Sequence, residues 1–209
     1  LIFSQLFKRS IENYPIYYLT GYILWQAFTG ATTSAMTALA DNKALLLRVK
    51  FPMGIFILSR AYTALINLAY SLIAYAVMLM VFRIPIKWSV LAAPLIILCL
   101  FLFSLGLSYI LATAYVFFAD IKHLYTVALT LWMYCSAIFY PAEQLNGPIR
   151  LVIQINPIYL YISCLRSVVL NGTLFTGTEL LRMLLWGILA CAAGCFIFNR
   201  NKNRIMQRI

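Results

Sequence analysis

The sequence predicts an all-α fold, a polytopic helical bundle embedded in a lipid bilayer. Three observations predict it. Of the 209 residues, 10% are charged and 64% hydrophobic, whereas a soluble domain carries about 25% charged residues. Mean hydropathy is +0.92. Residues 14–40, 61–82, 88–119, 124–142 and 183–199 contain no charged side chain, and about 20 apolar residues cross a hydrocarbon core as a helix. Unbroken runs favour helices over barrel strands, which alternate over about 10 residues. The expectation is one transmembrane domain over residues 1–209, with five full spans. Residues 1–7 are apolar and stop at Lys8 and Arg9, so they read as the tail of an earlier span that starts before Leu1. They do not resemble a charged leader with a small-residue cleavage site.

Along the chain, Tyr14, Tyr17, Tyr18, Tyr22 and Trp25 open the first full span, where aromatic rings suit the membrane boundary. This span is expected to end near Leu39. Residues 41–52 form a polar break in which Asp41 or Asn42 could cap a short helix. Leu45, Leu46 and Val49 would share one face of it, away from Lys43, Arg48 and Lys50, as in a helix lying at a membrane surface. Phe51 and Pro52 end it, because proline disfavours helix in the residue before it. The next span is expected over residues 53–82, longer than a bilayer needs and therefore tilted or projecting. Arg60 in its first turns either snorkels to the surface or makes a polar contact. Residues 83–88 read as a turn, residues 91–114 as a span, and residues 117–123 as a second turn with Asp120, Lys122 and His123. A further span is expected over residues 124–140.

Residues 141–177 are cut by Pro141, the run Asn146, Gly147 and Pro148, the pair Asn156 and Pro157, and the pair Asn171 and Gly172. The apolar pieces between these breaks, residues 151–155 and 158–165, are too short to cross. They are also too apolar for a solvated loop, so re-entrant or interfacial helices before the last span fit best. The last span is expected over residues 180–198, with Ala190 and Gly194 as a small-residue pair that permits close helix contact. The basic tail from Asn199 then leaves the membrane.

The net charge of +11 is explained by basic residues at span ends, which contact phosphate headgroups. No basic, aromatic-interleaved soluble module points to nucleic acid. One orientation places nine of the 16 basic residues in the cytoplasm and seven outside. With the basic 43–50 loop and the dense tail on the cytoplasmic side, it puts the C-terminus there.

Several chemistries are absent. The five acidic residues, Glu12, Asp41, Asp120, Glu143 and Glu179, lie in loops or at span edges, whereas ion-coupled carriers need ionisable groups at membrane depth. His123 is the single histidine, so neither a Ser/His/Asp set nor a metal site is expected, and no catalytic residue is assigned. The five cysteines have no CxxC spacing and read as small packing residues. No Gly-x-x-x-x-Gly-Lys-Ser/Thr loop is present to cradle a nucleotide phosphate. Active transport would therefore draw its energy from another subunit. The aromatic content of 15% is the remaining clue. Trp25, Phe28, Tyr62, Tyr70, Tyr115, Phe118, Tyr134, Phe139 and Tyr140 are candidates to line a conduit, since sugars present apolar C–H faces that pack on rings. Helix packing and lipid contact are the alternatives for each ring.

The order of motifs resembles the permease subunit of polysaccharide-exporting ABC transporters, the ABC type-2 permeases of O-antigen, capsule or teichoic-acid export. Residues 18–28, Tyr-Leu-Thr-Gly-Tyr-Ile-Leu-Trp-Gln-Ala-Phe, are similar to the family's second span. Residues 42–52 resemble its short cytoplasmic connection of an Asn, a Leu-rich stretch and Lys-x-Phe-Pro. Residues 117–121 resemble its fourth-to-fifth-span turn, with Ala119 where an Arg is common. Residues 136–141, then Asn156, Pro157, Ile158 and Tyr159 with Arg166, resemble the fifth-span exit and the Asn-Pro region beyond it.

The resemblance covers nearly the whole chain. It implies a six-span subunit of the bacterial cytoplasmic membrane that works as a homodimer. Two copies of a cytoplasmic ATP-binding subunit would bind ATP and Mg, with no cofactor held by this chain. A lipid-linked glycan would pass along the dimer interface. Asp41, Asn42, Lys43, Arg48, Lys50, Phe51, Pro52 and Asp120 are then expected to couple to the ATPase; a plain headgroup-bound loop is the alternative. Pro141, Asn156, Pro157 and Arg166 are expected in an outer gate, or else in a structural lid at the dimer interface. An ABC permease for a drug or small lipid, and a membrane scaffold or enzyme subunit without a conduit, are the competing functions.

Overall fold

The computed structural model describes residues 13–48, 51–85, 87–142 and 147–208, and its regular structure is helical throughout. Helix α1 spans Tyr14–Met36, α2 Ala38–Asp41, α3 Lys43–Arg48 and α4 Gly54–Val81. A 3₁₀ turn at Trp88–Ala92 leads into α5, Ala93–Phe117. Helices α6 (Ile121–Cys135), α7 (Pro148–Ile155) and α8 (Pro157–Arg166) follow. A π-helical turn at Ser167–Asn171 then precedes α9, Gly177–Arg208. Proline sits in the first turn of α1, α5, α7 and α8, where its fixed φ favours the helix and its missing N–H costs nothing. Helix α9 starts from a reciprocal cap. The Thr176 N–H donates to Glu179 Oε2 at 2.7 Å, and the Glu179 N–H donates to Thr176 Oγ1 at 3.4 Å.

Three helical stretches are long and apolar enough to cross a membrane: Gly54–Val81, Trp88–Phe117 and Gly177–Arg208. The chain is thus an all-helical, multi-pass membrane protein. The expected limits of α4 agree with the structure to within a residue. Other limits differ by two to five residues: α1 ends at Met36 rather than near Leu39, and α5 spans Ala93–Phe117 rather than residues 91–114. The helix expected to reach residue 140 stops at Cys135, after 15 residues, because the chain turns inward there and buries Ser136, Ala137 and Ile138. The basic residues from Asn199 do not end the helix, which runs on to Arg208, since Arg, Lys, Met and Gln are good helix formers. The expected tail of an earlier span, residues 1–7, lies outside the described residues.

Helix α5 is the centre of the bundle. It packs mainly on α9 and α1, while α1 also packs on α4 and α8. The α5–α9 contact is made backbone to backbone. A Cβ on Gly106 would stand 2.2 Å from the carbonyl carbon of Ala190, and one on Gly194 would stand 2.2 Å from the carbonyl oxygen of Gly106. The small pair Ala190 and Gly194 therefore has its partner in Gly106, and Gly187 extends the seam against the Cys99 carbonyl. Such proximity maximises dispersion contact where lipid supplies no hydrophobic drive.

Gly106→Ala is expected to push the two helices apart and destabilise the protein by about 1–3 kcal/mol or more. Gly30→Ala, whose new methyl would meet only Ala64 Cβ at 4.0 Å, is expected to be near neutral. Thermal unfolding of both variants in detergent checks this; equal midpoints would remove the backbone crossing.

Candidate functional site

Polar chemistry concentrates at the two ends of the bundle. At one end lie residues 82–90, the exit of α6, α7, α8 and the start of α9. At the other lie α2, α3, the α5–α6 turn and the tail of α9.

At the first end the break in α6 creates the problem that the buried polar groups answer. Asn156 precedes α8 and is 8% exposed. Its Oδ1 accepts from the Ile158 N–H at 3.0 Å, capping α8, and from Trp132 Nε1 at 3.0 Å. Its Nδ2 donates to the Cys135 carbonyl and to Ser136 Oγ, both at 3.0 Å. The asparagine thus joins the end of α6 to the start of α8 and is satisfied on both sides of its amide. Pro157 follows it in the first turn of α8.

Arg166, at the last turn of α8 and 6% exposed, does the same for the next carbonyls. Its Nη1 donates to the Ala137 carbonyl at 2.9 Å and its Nη2 to the Ile138 carbonyl at 2.8 Å. Nη1 also reaches the Tyr17 hydroxyl at 2.8 Å, Nε reaches the Tyr17 carbonyl at 3.3 Å, and the guanidinium lies 3.6 Å from the Tyr17 ring centroid. Ala137 holds φ +47°, which costs a non-glycine residue about 1–3 kcal/mol and needs such support. Gly21 makes room for the arginine: a Cβ there would stand 2.7 Å from Nη2. The Tyr14 hydroxyl donates to the Phe139 carbonyl at 2.9 Å and the Tyr17 hydroxyl to that of Tyr140 at 3.4 Å. The Tyr140 hydroxyl donates to the Tyr134 carbonyl at 2.6 Å.

Beside this cluster opens a cavity of about 550 Å³. Tyr17, Arg83, Pro141, Tyr159, Ser163 and Arg166 are among the side chains that line it. The four expected gate residues, Pro141, Asn156, Pro157 and Arg166, are therefore brought together around one broken helix. Tyr17, Gly21 and Trp132 complete the arrangement and were not expected in it. Only their positions in the fold connect them, since they lie far from residues 156–166 in sequence.

At the second end, Arg60 Nη2 pairs with Asp41 Oδ2 at 3.3 Å, the one salt bridge among the described residues, with both side chains nearly half exposed. Arg60 thus reaches an exposed carboxylate at the end of the bundle. Asn42 does not send its side chain toward α3; Nδ2 donates back to the Ala38 carbonyl at 2.8 Å. Its backbone carbonyl instead accepts from Leu45 and Leu46. Leu46 alone of the α3 leucines is buried, while Leu45 and Leu47 are exposed. Lys43 and Arg48 are exposed on α3, as are Phe51 and Pro52 beyond it. Lys50 and Val49 lie outside the described residues. Asp120 is exposed in the separate α5–α6 turn, and its carbonyl accepts from His123 and Leu124.

The aromatic candidates divide. Trp25 and Phe28 are core residues: Phe28 is fully buried, 5.9 Å from Phe103 and 5.3 Å edge-on to Trp132. These two rings pack the interior of the bundle. Tyr62, Tyr70, Phe118 and Tyr134 are exposed, and Tyr115, Phe139 and Tyr140 are half-buried. No group of three or more metal-ligating side chains occurs among the described residues.

A bundle with three membrane-length helices is that of an integral membrane protein. The chain belongs to the ABC-2 type transporter family, whose pattern it matches over residues 1–170. It is 25% identical to an O-antigen export system permease protein of Myxococcus xanthus, over all of this chain and 81% of the relative. It is 27% identical to an O-antigen export system permease protein of Klebsiella pneumoniae, over 99% of this chain and 80% of the relative.

Arg166→Lys is expected to lower stability by several kcal/mol, because one ammonium cannot serve the Ala137, Ile138 and Tyr17 oxygens that the planar fork reaches together. Asn156→Asp keeps the cap on Ile158 but loses both donors, and is expected to cost about 1–3 kcal/mol. Detergent-extracted yield and unfolding midpoint measure both; wild-type values for Arg166→Lys would show that the clamp contributes little.

Proposed function

We propose that this chain is the membrane-spanning subunit of an ATP-driven exporter that carries a lipid-linked polysaccharide across the bacterial cytoplasmic membrane. The observation that supports this most is the alignment of essentially the whole chain with O-antigen export permeases. With no phosphate-cradling loop in the sequence, the nucleotide and Mg would be held by two copies of a cytoplasmic ATP-binding subunit. A second permease copy would complete a conduit at the dimer interface. Five spans would be formed by α1, α4, α5, α6 and α9; α1 is 23 residues long, or about 35 Å. Helix α6 is shorter, about 22 Å from its 15 residues, and would reach the outer surface through the clamped segment beyond Cys135. Residues 141–177 would lie on the outer side as re-entrant helices, and the C-terminus in the cytoplasm.

In this reading residues 41–52, with Lys43, Arg48 and Lys50, form the coupling loop, and Asp120 marks the second cytoplasmic turn. The exposed rings of Tyr62, Tyr70, Phe118 and Tyr134 are the better conduit candidates. Aromatic faces suit a polymer that must slide, because they offer contact area without fixed charge. The Asn156 and Arg166 clamps make the outer region a unit that moves as a body or not at all.

The permease, tagged in its native host and extracted gently, is expected to bring down a stoichiometric ATP-binding protein and to show Mg-dependent ATP hydrolysis. Reproducible absence of that subunit from folded permease would sink the proposal. For the gate, cysteines placed at Gln154 and Arg182, whose chains meet through a 2.6 Å hydrogen bond, are to be joined by a short bis-maleimide in a cysteine-free background. Polymer release should stop; normal export from fully cross-linked protein would remove the gate.

A further inference from the structure

We infer that the helical tail of α9, residues 199–208, is a second docking surface for the ATP-binding subunit, fused with the 41–52 loop into one platform. This rests on the reading of the chain as an ATPase-driven permease with a cytoplasmic C-terminus.

Packing makes the two parts one body. Leu46 of α3 shares a buried cluster with Leu39, Ile57 and Ala112, and with Phe198 and Ile205 of α9. Ile205 is fully buried although it lies seven residues beyond the apolar part of its helix. Phe51, Pro52 and Met53 line a cavity of about 540 Å³ together with Asn199, Lys202 and Met206. Arg208 reaches the second turn as well: Nη1 donates to the Phe117 carbonyl at 3.3 Å, and the guanidinium lies 5.4 Å from the Phe117 ring centroid. The tail therefore holds both turns at this end in fixed relation.

Length and charge select the partner. The apolar stretch of α9, residues 180–198, is about 28 Å long and fills a hydrocarbon core of about 30 Å. Residues 199–208 add about 15 Å, and a headgroup layer takes up only about 5–7 Å of that. The last two turns thus stand in water beyond the headgroups, where lipid charge decays within about 8 Å. Residues 199–208 carry Arg200, Lys202, Arg204 and Arg208 and no acidic residue. On α3, which shares the buried cluster with the tail, Lys43 and Arg48 are basic and exposed, while Asp41 is paired with Arg60. Exposed Leu45, Leu47, Phe51 and Met206 lie among these cations. An apolar patch with a basic rim fits a protein groove with an acidic rim, and continuity with the coupling loop makes the ATP-binding subunit its owner.

The test is affinity of the purified ATP-binding subunit for full-length permease in nanodiscs of zwitterionic phosphatidylcholine. Lys202→Glu with Arg204→Glu should weaken binding roughly tenfold and flatten its salt dependence. Lys202→Gln with Arg204→Gln should fall between, with an unchanged unfolding midpoint as the folding control. Lys43→Glu with Arg48→Glu reports on the loop, and Arg150→Glu at the opposite end should have no effect. Wild-type affinity of the tail variants beside weakened loop variants overturns the tail surface and leaves the exporter reading intact. A tail effect seen only when anionic phosphatidylglycerol is added makes the tail a headgroup anchor and also overturns it. Absence of binding by wild-type permease overturns both readings.

Discussion

A helix that stops inside a membrane protein leaves carbonyls without their i+4 donors, and a bilayer supplies no water to replace them. Helix α6 stops at Cys135, and the carbonyls of Cys135, Ala137, Ile138, Phe139 and Tyr140 are each answered by a side chain from elsewhere: Asn156, Arg166, Tyr14 and Tyr17. The donors come from the first turn of α1 and from the two ends of α8, so satisfying the break also fixes α1, α6 and α8 relative to one another. The position of α8 then follows. Its Ile158, Tyr161 and Ile162 are fully buried, and the hydroxyl of Tyr161 reaches the Met183 carbonyl of α9 at 3.0 Å. The polar end is stitched further by Ser89 on the Val168 carbonyl and Lys87 on that of Asn171.

Two kinds of rigidity result. The α5–α9 seam is held by backbone proximity at Gly106 and Gly194 and contains little that could slide without collision. Helix α6 is attached to the bundle differently. Tyr125 donates to Thr32 Oγ1 at 2.8 Å and Leu129 is buried, but Leu124, Val127, Leu131 and Tyr134 face outward. Helix α4 likewise turns Tyr62, Ile66, Tyr70, Ile73 and Val77 away from the protein. The chain therefore couples a fixed pair of helices to others whose outward faces are bare and apolar. In a bilayer such faces meet lipid or another helix at similar cost, because lipid tails are as apolar as leucine.

How much of this was legible in the sequence depended on what each feature answers to. Helix α4 was readable to within a residue, since its limits are set by solubility in lipid, which composition reports directly. The end of α6 was not, because residues 136–140 remain apolar while leaving the helix; they are buried against protein rather than lipid, and hydropathy does not separate the two. The helical state of the tail of α9 was not legible either: charge ends a membrane span but not a helix. Asn156 and Arg166 stood out as residues of the Asn-Pro region, yet their partners Trp132, Tyr17 and Gly21 lie 24 to 149 residues away, beyond the reach of local pattern. Gly106 was similarly silent, although its counterparts Ala190 and Gly194 were recognisable as a spaced pair on one helix.

The contrast between the two ends bears on how force would cross this subunit. At the clamped end nearly every polar atom is committed to another part of the same chain, and no buried side-chain nitrogen or oxygen is left without a partner among the described residues. At the opposite end the internal contacts are apolar, gathered on Leu46, Ile57, Phe198 and Ile205, while most of the cations point outward. A hydrogen-bonded clamp is specific in geometry and breaks all at once; an apolar cluster tolerates small shifts and transmits them through packing. Displacement applied at α3 would thus be shared by α4, α5 and α9 through that cluster. It would meet at the far end a unit that resists deformation until its carbonyl bonds are exchanged together.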